Sequence, residues 1–168
     1  LRTNLLTVIG QAISKLAPAK LSYQHARAGF AMNRRTPSEK GYQNHPFAEG
    51  PVDHDVPVLR VDNVDGTLRA VLFGYACHNT TLGFYQYCGD YAGYAQEYFE
   101  ERHPGVTALF LMGCGGDQNA YPRFSPDFSR KHGQSLATAV EAALDAKPKL
   151  VHGPLRIDWQ TTRLDYES

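Results

Sequence analysis

The sequence predicts an α/β fold, a mixed sheet with flanking helices that is built on a strand-helix-strand core plus a β-hairpin. Two apolar runs, residues 70–76 and 106–112, have the length and composition of buried strands. Between them, residues 91–102 repeat apolar side chains at helical spacing. Asp65-Gly66 precedes the first run and is typical of a tight turn between two strands. Together these patterns predict two parallel strands joined by a helix, with a hairpin partner beside them.

Length and composition indicate one folded domain and exclude several classes of partner. The chain has 168 residues, of which 42% are hydrophobic and 20% charged, so a packed core is expected rather than disorder. Basic and acidic residues balance at 17 each, so we expect no nucleic-acid partner and no polybasic membrane patch. No apolar run approaches the roughly 20 residues that span a bilayer, so no transmembrane segment is expected. The oligomeric state is left open.

The first third of the chain is predicted to contain a helix, a strand and a long loop. Residues 1–16 place apolar side chains at helical spacing, and Pro18 ends that helix. Residues 20–32 follow as a strand, so the helix is expected to cover one face of the sheet. Residues 33–54 contain three prolines and two glycines and are predicted to form a loop.

The later elements carry clearer start and stop signals. Residues 56–61 and 67–76 are the two strands of the hairpin. Asp90 is the expected N-cap of the first long helix, which ends before Pro104. A second long helix starts with Ser125-Pro126-Asp127 and runs to about residue 146. Residues 155–164 alternate and predict a final strand. Because residue 1 already lies in a helical pattern and residues 159–168 read as a strand cut short, we expect residues 1–168 to be an internal part of a larger domain.

Candidate chemistry lies where the two apolar runs end, because ligands of open α/β sheets bind beyond the carboxyl ends of the strands. The first run ends in Cys77-His78. A neutral imidazole there suits a zinc ligand or a general base, although a loop histidine with only a hydrogen-bonding role fits the pattern as well. The sequence has no HExxH or CxxC spacing, so it contains no complete zinc motif.

The second run leads into Gly113-Cys114-Gly115-Gly116-Asp117. Glycines after a strand allow a sharp turn and expose amides that could bind an oxyanion, and a plain tight turn explains them equally well. The loop lacks the Gly-Lys-Ser/Thr ending of a phosphate-binding loop and does not match the dinucleotide fingerprint.

Further candidates are an arginine pair and the cysteines. Asn33-Arg34-Arg35 follows a predicted strand, where arginine could clamp a carboxylate, phosphate or carbonyl oxygen, or lie in a solvated loop. The number of cysteines is three, which excludes a complete disulfide framework. Cys77 or Cys114 could act as a nucleophile with His78 as base, or as a zinc thiolate with His78, or be simple packing residues. Asp90 could cap its helix or hold a catalytic group.

In their order and spacing these landmarks resemble the catalytic domain of the neutral, non-lysosomal ceramidases. Each motif is only moderately specific, so the evidence is their order over nearly the whole chain. The matching elements are Asn33-Arg34, His78-Asn79-Thr80-Thr81, Gly89-Asp90, Gly93-Tyr94-Ala95 and Gly116-Asp117.

The resemblance implies an α/β hydrolytic domain with one zinc ion that cleaves the amide of N-acyl sphingoid lipids or a related amide. His78 matches a zinc ligand, and Arg34 matches an arginine near the substrate amide. Asp90 and Asp117 are the expected catalytic carboxylates. Asn33, Gly116 and Asn119 are expected to contact the substrate. The family also suggests a secreted or periplasmic location.

The chain departs from the family at several positions. The family's second zinc histidine lies in an upstream His-Thr-His-Ser-Gly type motif, and its glutamate and tyrosine ligands lie downstream; none of the three is in this chain. The family's Gly-Asp turn continues to a serine in Ser-Pro-Asn, and Asn119 stands about where that serine would be. We therefore expect a fragment of a divergent member that is inactive in isolation. The alternatives are a non-catalytic scaffold or binding domain, and a cysteine/histidine hydrolase.

Overall fold

A computed structural model describes residues 1–154 and 156–165 of the chain. It contains three helices and eight strands in two sheets within those residues. In chain order they are α1 (Arg2–Ser14), β1 (Ala19–Arg27), β2 (Ala31–Ser38), β3 (Gly41–Phe47), β4 (Asp55–Asn63), β5 (Leu68–Tyr75), α2 (Asp90–Arg102), β6 (Thr107–Met112), β7 (Gln118–Ala120), α3 (Pro126–Asp145) and β8 (Lys149–Val151). The predicted mixed α/β fold is confirmed.

The larger sheet has five strands in the order β6-β5-β4-β1-β8. β5 and β6 run parallel, with Tyr75 opposite Met112, and the other neighbours are antiparallel. The parallel pair is joined through α2, so the predicted strand-helix-strand core is present. β4 and β5 form the predicted hairpin, whose turn is closed by a hydrogen bond from the Gly66 amide to the Asn63 carbonyl. Gly66 has a φ of +90°, which explains the glycine of the Asp-Gly pair.

The hydrophobic core lies between this sheet and the helices α2 and α3. Val58 and Phe73 are paired across the hairpin, and both are buried beneath the helices. On α3, Leu136, Val140 and Ala143 are fully buried, as their helical spacing predicts. The start of α3 is also confirmed, because Ser125 is the N-cap and its hydroxyl accepts a hydrogen bond from the Asp127 amide at 3.2 Å.

The prediction of one strand over residues 20–32 is wrong. The chain forms β1, turns at residues 28–30 and enters a different sheet as β2. The turn is fixed by the buried hydroxyl of Tyr75, which donates to the Ala28 carbonyl at 2.6 Å and accepts from the Ala31 amide at 3.1 Å. Phe30 packs against the rings of Tyr75 and Tyr91. The sequence does not show this break, because its cause is a side chain more than 40 residues away.

The loop predicted for residues 33–54 is also wrong for its first part. β2 and β3 form an antiparallel hairpin, and β2 pairs on its other edge with β7 to complete the second sheet. Pro37 is tolerated because the pairing with β7 reaches only as far as Asn33. Gly41, with a φ of +102°, follows the turn. Asn33 and Arg34 therefore lie on a strand with defined neighbours.

The two faces of the five-stranded sheet are covered unequally within the described residues. β6 is an edge strand on which only Ala108 is buried, while Leu109 and Leu111 are exposed, so the prediction of a fully buried strand is wrong. α1 forms where predicted but has no buried residue, and it does not cover the sheet as expected. An apolar run alone does not distinguish one covered face from two.

The remaining differences concern element ends. Gly89, and not Asp90, is the N-cap of α2, and Asp90 is its first residue with a φ of +51°. No strand forms over residues 156–164, and Leu155 lies outside the described residues. A short strand at Lys149–Val151 pairs with β1 instead. No helix in the described part of the chain is long and apolar enough to cross a membrane.

The contact between α2 and α3 predicts opposite effects for two helical glycines. A Cβ on Gly133 would lie 2.5 Å from Tyr94 Cβ and 2.9 Å from the Tyr91 carbonyl oxygen, whereas a Cβ on Gly93 would meet nothing within 4 Å. We expect Gly133→Ala to lower the free energy of unfolding by about 1–3 kcal/mol through overpacking. Gly93→Ala should raise it by about 0.5–1 kcal/mol through helix propensity. Thermal melts of both variants test this, and equal effects would contradict the described helix contact.

Candidate functional site

The candidate site begins with a close approach between the glycine-rich loop and the chain that follows β5. A Cβ on Gly115 would lie 2.5 Å from the Cys77 amide nitrogen, so only glycine fits at this position. The His78 amide donates to the Gln118 carbonyl at 3.1 Å, and His78 forms a parallel bridge with Asn119. The two strand ends that the sequence singles out are therefore in direct contact.

This approach determines how the His78 ring is oriented. Its Nδ1 lies 2.7 Å from the Gly115 carbonyl oxygen and 3.2 Å from the Gln118 carbonyl oxygen. Carbonyls only accept hydrogen bonds, so Nδ1 must carry the proton and the neutral ring has its lone pair on Nε2. The ring is half-buried. His78 is thus held as the tautomer that offers Nε2 to a partner.

Arg34 lies beside that nitrogen. Its backbone is fixed by a hydrogen bond from its amide to the Asp117 carbonyl at 2.7 Å. Its Nε and Nη2 donate to the Gly116 carbonyl at 3.3 and 3.0 Å, and Nη2 also lies 3.3 Å from His78 Nε2. Nη1 contacts Asn119 Oδ1 at 3.5 Å. The predicted candidates Arg34, His78, Gly116 and Asn119 are therefore brought together in one polar cluster.

Asn119 is the most buried member of this cluster, with no exposed surface. Its Oδ1 accepts from the Thr80 hydroxyl at 3.2 Å as well as from Arg34. Because a guanidinium has only donors, the amide must point its oxygen at Arg34, which leaves Nδ2 on the other side. That Nδ2 has no hydrogen-bond partner among the described residues. A buried amide donor without a partner is uncommon.

Asn33 on β2 and Asp117 in the glycine-rich loop support the cluster. Asn33 is buried, and its Nδ2 donates to the Pro51 carbonyl at 2.9 Å and to Asp117 Oδ2 at 3.2 Å. Its Oδ1 accepts from the Arg35 amide at 2.8 Å. These bonds hold β2 and the loop in register, so the geometry gives both side chains a positioning role. Their predicted substrate and catalytic roles stay predictions.

Asp90 connects three segments at the start of α2. Its Oδ2 accepts from the Leu82 amide at 3.0 Å, and its Oδ1 accepts from the Tyr91 amide at 2.7 Å and the Ser129 hydroxyl at 3.2 Å. It is buried, and none of these described bonds reaches His78. Through these hydrogen bonds Asp90 connects the loop before α2 to the helices α2 and α3. The catalytic role predicted for Asp90 stays a prediction.

Two side chains near the site were not expected from the sequence. Arg123 donates from Nε to the Thr80 carbonyl at 3.0 Å and lies over the ring of Phe124 at 4.6 Å. Tyr91 donates its hydroxyl to the Cys77 carbonyl at 2.6 Å. Both therefore fix the backbone on either side of His78. No spacing rule indicates them, although Arg123 lies only four residues after Asn119 in the same segment.

Other sequence expectations are not supported around the site. The Gly115 amide donates to the Gly113 carbonyl and the Gln118 amide to the Gly115 carbonyl, so these two loop amides are used within the loop. Gly116 presents its carbonyl to the arginines instead. All three cysteines are free thiols in the described structure; Cys77 is buried, and Cys88 and Cys114 are exposed.

The expected zinc site can be compared with the metal-binding side chains that the chain provides. Residues 1–154 and 156–165 contain no group of three or more His, Cys, Asp or Glu side chains placed to hold a metal ion. His78 itself fits a ligand, because ligating histidines usually donate their other ring N–H to a carbonyl or carboxylate. The Nδ1–H to Gly115 carbonyl bond is of this kind. These residues therefore offer one ligand of a zinc site, and the other ligands would come from outside them.

Comparisons with known proteins bear on the fold. No family model matches the sequence, and no curated protein matches it significantly. The structure is similar to the crystal structure of neutral ceramidase from Pseudomonas aeruginosa, with a TM-score of 0.64 and 21% identity over 81% of this chain. It is also similar to a ceramidase complexed with C2, with a TM-score of 0.66 and 19% identity over 80% of this chain. The chain covers only 24% and 23% of these proteins. The chain is therefore similar in fold to about a quarter of the neutral ceramidase structure. The order of the sequence motifs predicts this similarity.

Proposed function

We propose that this chain is part of a zinc-dependent hydrolase of a linear amide, similar to the ceramidases. The observation that carries the proposal is the His78 ring, whose Nδ1–H is bound to backbone carbonyls so that the Nε2 lone pair faces the polar cluster. The likeness in fold to two ceramidases supports the reaction class. The chain would be one part of a larger catalytic domain, because it spans about a quarter of those proteins.

In this proposal His78 Nε2 is one of the zinc ligands. Bound zinc would supply an activated water and a Lewis acid for the amide carbonyl. The residues of this chain would bind and orient the substrate beside it. Every candidate donor here is a group that favours a partly negative oxygen: the Arg34 guanidinium and the unpartnered Nδ2 of Asn119. An acyl carbonyl oxygen, which becomes more negative as its amide is attacked, fits this set.

The substrate proposed is an N-acyl lipid or a related linear amide. This rests on the names of the two structural neighbours, both ceramidases. Asn119 stands where the family resemblance places a serine. A carboxamide is not among the side chains that act as covalent nucleophiles, so the chemistry must come from an activated water. Asn119 has no exposed surface, so in this proposal a local movement would uncover its Nδ2 and let it donate to the substrate oxygen.

A cysteine hydrolase is the rival that the structure argues against. Burial raises the pKa of the Cys77 thiol to about 12, so it stays protonated at neutral pH. Its Sγ contacts the His78 carbonyl at 3.7 Å rather than the ring. No described hydrogen bond joins a cysteine thiol to either ring nitrogen of His78.

The non-catalytic scaffold remains the second candidate, and one observation favours it. Asn119 replaces the serine that the family resemblance leads us to expect. A domain that has lost that side chain could keep the fold to bind or assemble. Metal content and amide hydrolysis of the full-length protein separate the two functions.

Removing His78 is the direct test of the metal proposal. We expect the full-length protein to hold about one zinc per chain and His78→Ala to lower zinc affinity by about 100-fold or more, with loss of N-acyl amide hydrolysis. His25→Ala is the matched control, because His25 is also partly exposed but pairs with Asp55 at 2.8 Å on β1. Elemental analysis of dialysed proteins measures the result. Full zinc in the His78 variant would refute the assignment, and no zinc in the parent would favour the scaffold.

Asn119→Asp tests the proposed donor. Aspartate keeps an acceptor oxygen for Thr80 and Arg34, replaces the Nδ2 donor by a second acceptor and adds a negative charge beside Arg34. We expect kcat/KM for amide hydrolysis to fall by about 100-fold, the usual effect of losing one oxyanion donor. The melting temperature should stay within a few degrees, since the carboxylate can pair with Arg34. Unchanged kcat/KM would leave Asn119 with a purely structural role.

Native thiol labelling tests the cysteine rival. Because Cys77 is buried and its pKa is raised to about 12, we expect it to resist iodoacetamide at pH 8. Cys88 and Cys114 are exposed and should be labelled. Mass spectrometry of native and denatured samples counts the modified sites, and activity is measured in parallel. Rapid labelling of Cys77 together with loss of amide hydrolysis would support the cysteine mechanism.

A further inference from the structure

We infer that Arg34 and the metal ion compete for the same lone pair of His78, so that metal binding must move the Arg34 guanidinium. The inference rests on the proposed zinc site and concerns what Arg34 does there. In this inference Arg34 weakens metal binding while it occupies the His78 nitrogen, and it can donate to a substrate oxygen once it has moved.

The competition follows from the hydrogen-bonding capacity of the two side chains. Arg34 Nη2 lies 3.3 Å from His78 Nε2, and Arg34 has only donors. The Nδ1 proton is committed to the Gly115 and Gln118 carbonyls, so Nε2 has a single in-plane lone pair to offer. A metal ion bound to Nε2 uses that same lone pair. The contact and the metal bond therefore exclude each other.

Charge strengthens this exclusion. A guanidinium remains protonated at all ordinary pH values, so it would face a divalent cation at short range. The described partners of the Arg34 side chain are the Gly116 carbonyl, Asn119 Oδ1 and the His78 ring. All three are neutral, and no described salt bridge includes Arg34. No carboxylate in this set compensates the repulsion.

Arg34 is not needed to keep His78 in the ligating tautomer. Gly115 and Gln118 fix the Nδ1 proton from the opposite side of the ring, and neither carbonyl is a described hydrogen-bond partner of the Arg34 side chain. The loop itself is held by backbone bonds, including His78 to Gln118. Removing the guanidinium should therefore leave the ligand oriented and remove only the competitor.

Arg35 provides a matched control within the same strand. It carries the same charge, and its Nη2 also donates to the Gly116 carbonyl, at 3.3 Å. It is exposed, and its described bonds do not reach His78. A general effect of positive charge near the site would appear in both arginine variants, whereas competition for Nε2 would appear only at Arg34.

The experiment measures zinc affinity of the full-length apoprotein by competition with a chromophoric chelator at fixed pH and ionic strength. Arg34→Ala and Arg34→Gln should bind zinc about tenfold or more tightly than the parent, because the repulsion and the occupied lone pair are both removed. Arg35→Ala should change the affinity by less than about threefold, as expected for a screened surface charge. The glutamine variant keeps the test valid if alanine disturbs β2.

Equal effects at Arg34 and Arg35 would overturn the inference in favour of a general charge effect. Weaker zinc binding in both Arg34 variants would overturn it as well, because Arg34 would then support the ligand. If the parent binds zinc and His78→Ala does not, either of these results refutes only the competition. If neither protein binds zinc, the proposed function fails and the inference fails with it.

Discussion

The site depends on one close backbone contact, between Gly115 and the chain at Cys77. Any side chain at position 115 would overlap the Cys77 amide nitrogen, which lies 2.5 Å from where a Cβ would be. The contact allows the His78–Gln118 hydrogen bond and the bridge to Asn119, and it places β7 where it can pair with β2. The smaller sheet and the larger sheet are thus joined at the same point where the candidate residues meet.

The second consequence of that contact is an electrostatic one. The carbonyls of Gly115 and Gln118 fix one nitrogen of His78, and the Gly116 carbonyl binds Arg34. The cluster therefore contains a cation whose acceptors are all neutral, and a buried amide donor without a described partner. Such a set is suited to an oxygen that carries or gains negative charge.

The fold likeness and the sequence differences carry different information. The likeness to ceramidase structures concerns backbone arrangement, at 19–21% identity over about four-fifths of this chain. The chemistry has to be argued from side chains, because one fold hosts many reactions. The resemblance matches His78 to a zinc ligand and Arg34 to an arginine near the substrate, and it expects a serine where Asn119 stands. That exchange replaces a hydroxyl, which can act as a nucleophile, by a carboxamide, which cannot, and the proposed mechanism therefore uses an activated water.

The sequence by itself determined the elements whose signals are local. Asp65-Gly66 encodes the β4–β5 turn, and Ser125-Pro126 starts α3, because turn and cap chemistry act within a few residues. The order of motifs also predicted the fold likeness and the meeting of His78 with the glycine-rich loop. Only the tertiary structure decided the break of the first predicted strand at the Tyr75 hydroxyl, the exposure of β6 and the tautomer of His78. Each of these depends on groups far away in the chain, or on which sheet face is covered, and periodicity in the sequence carries neither kind of information.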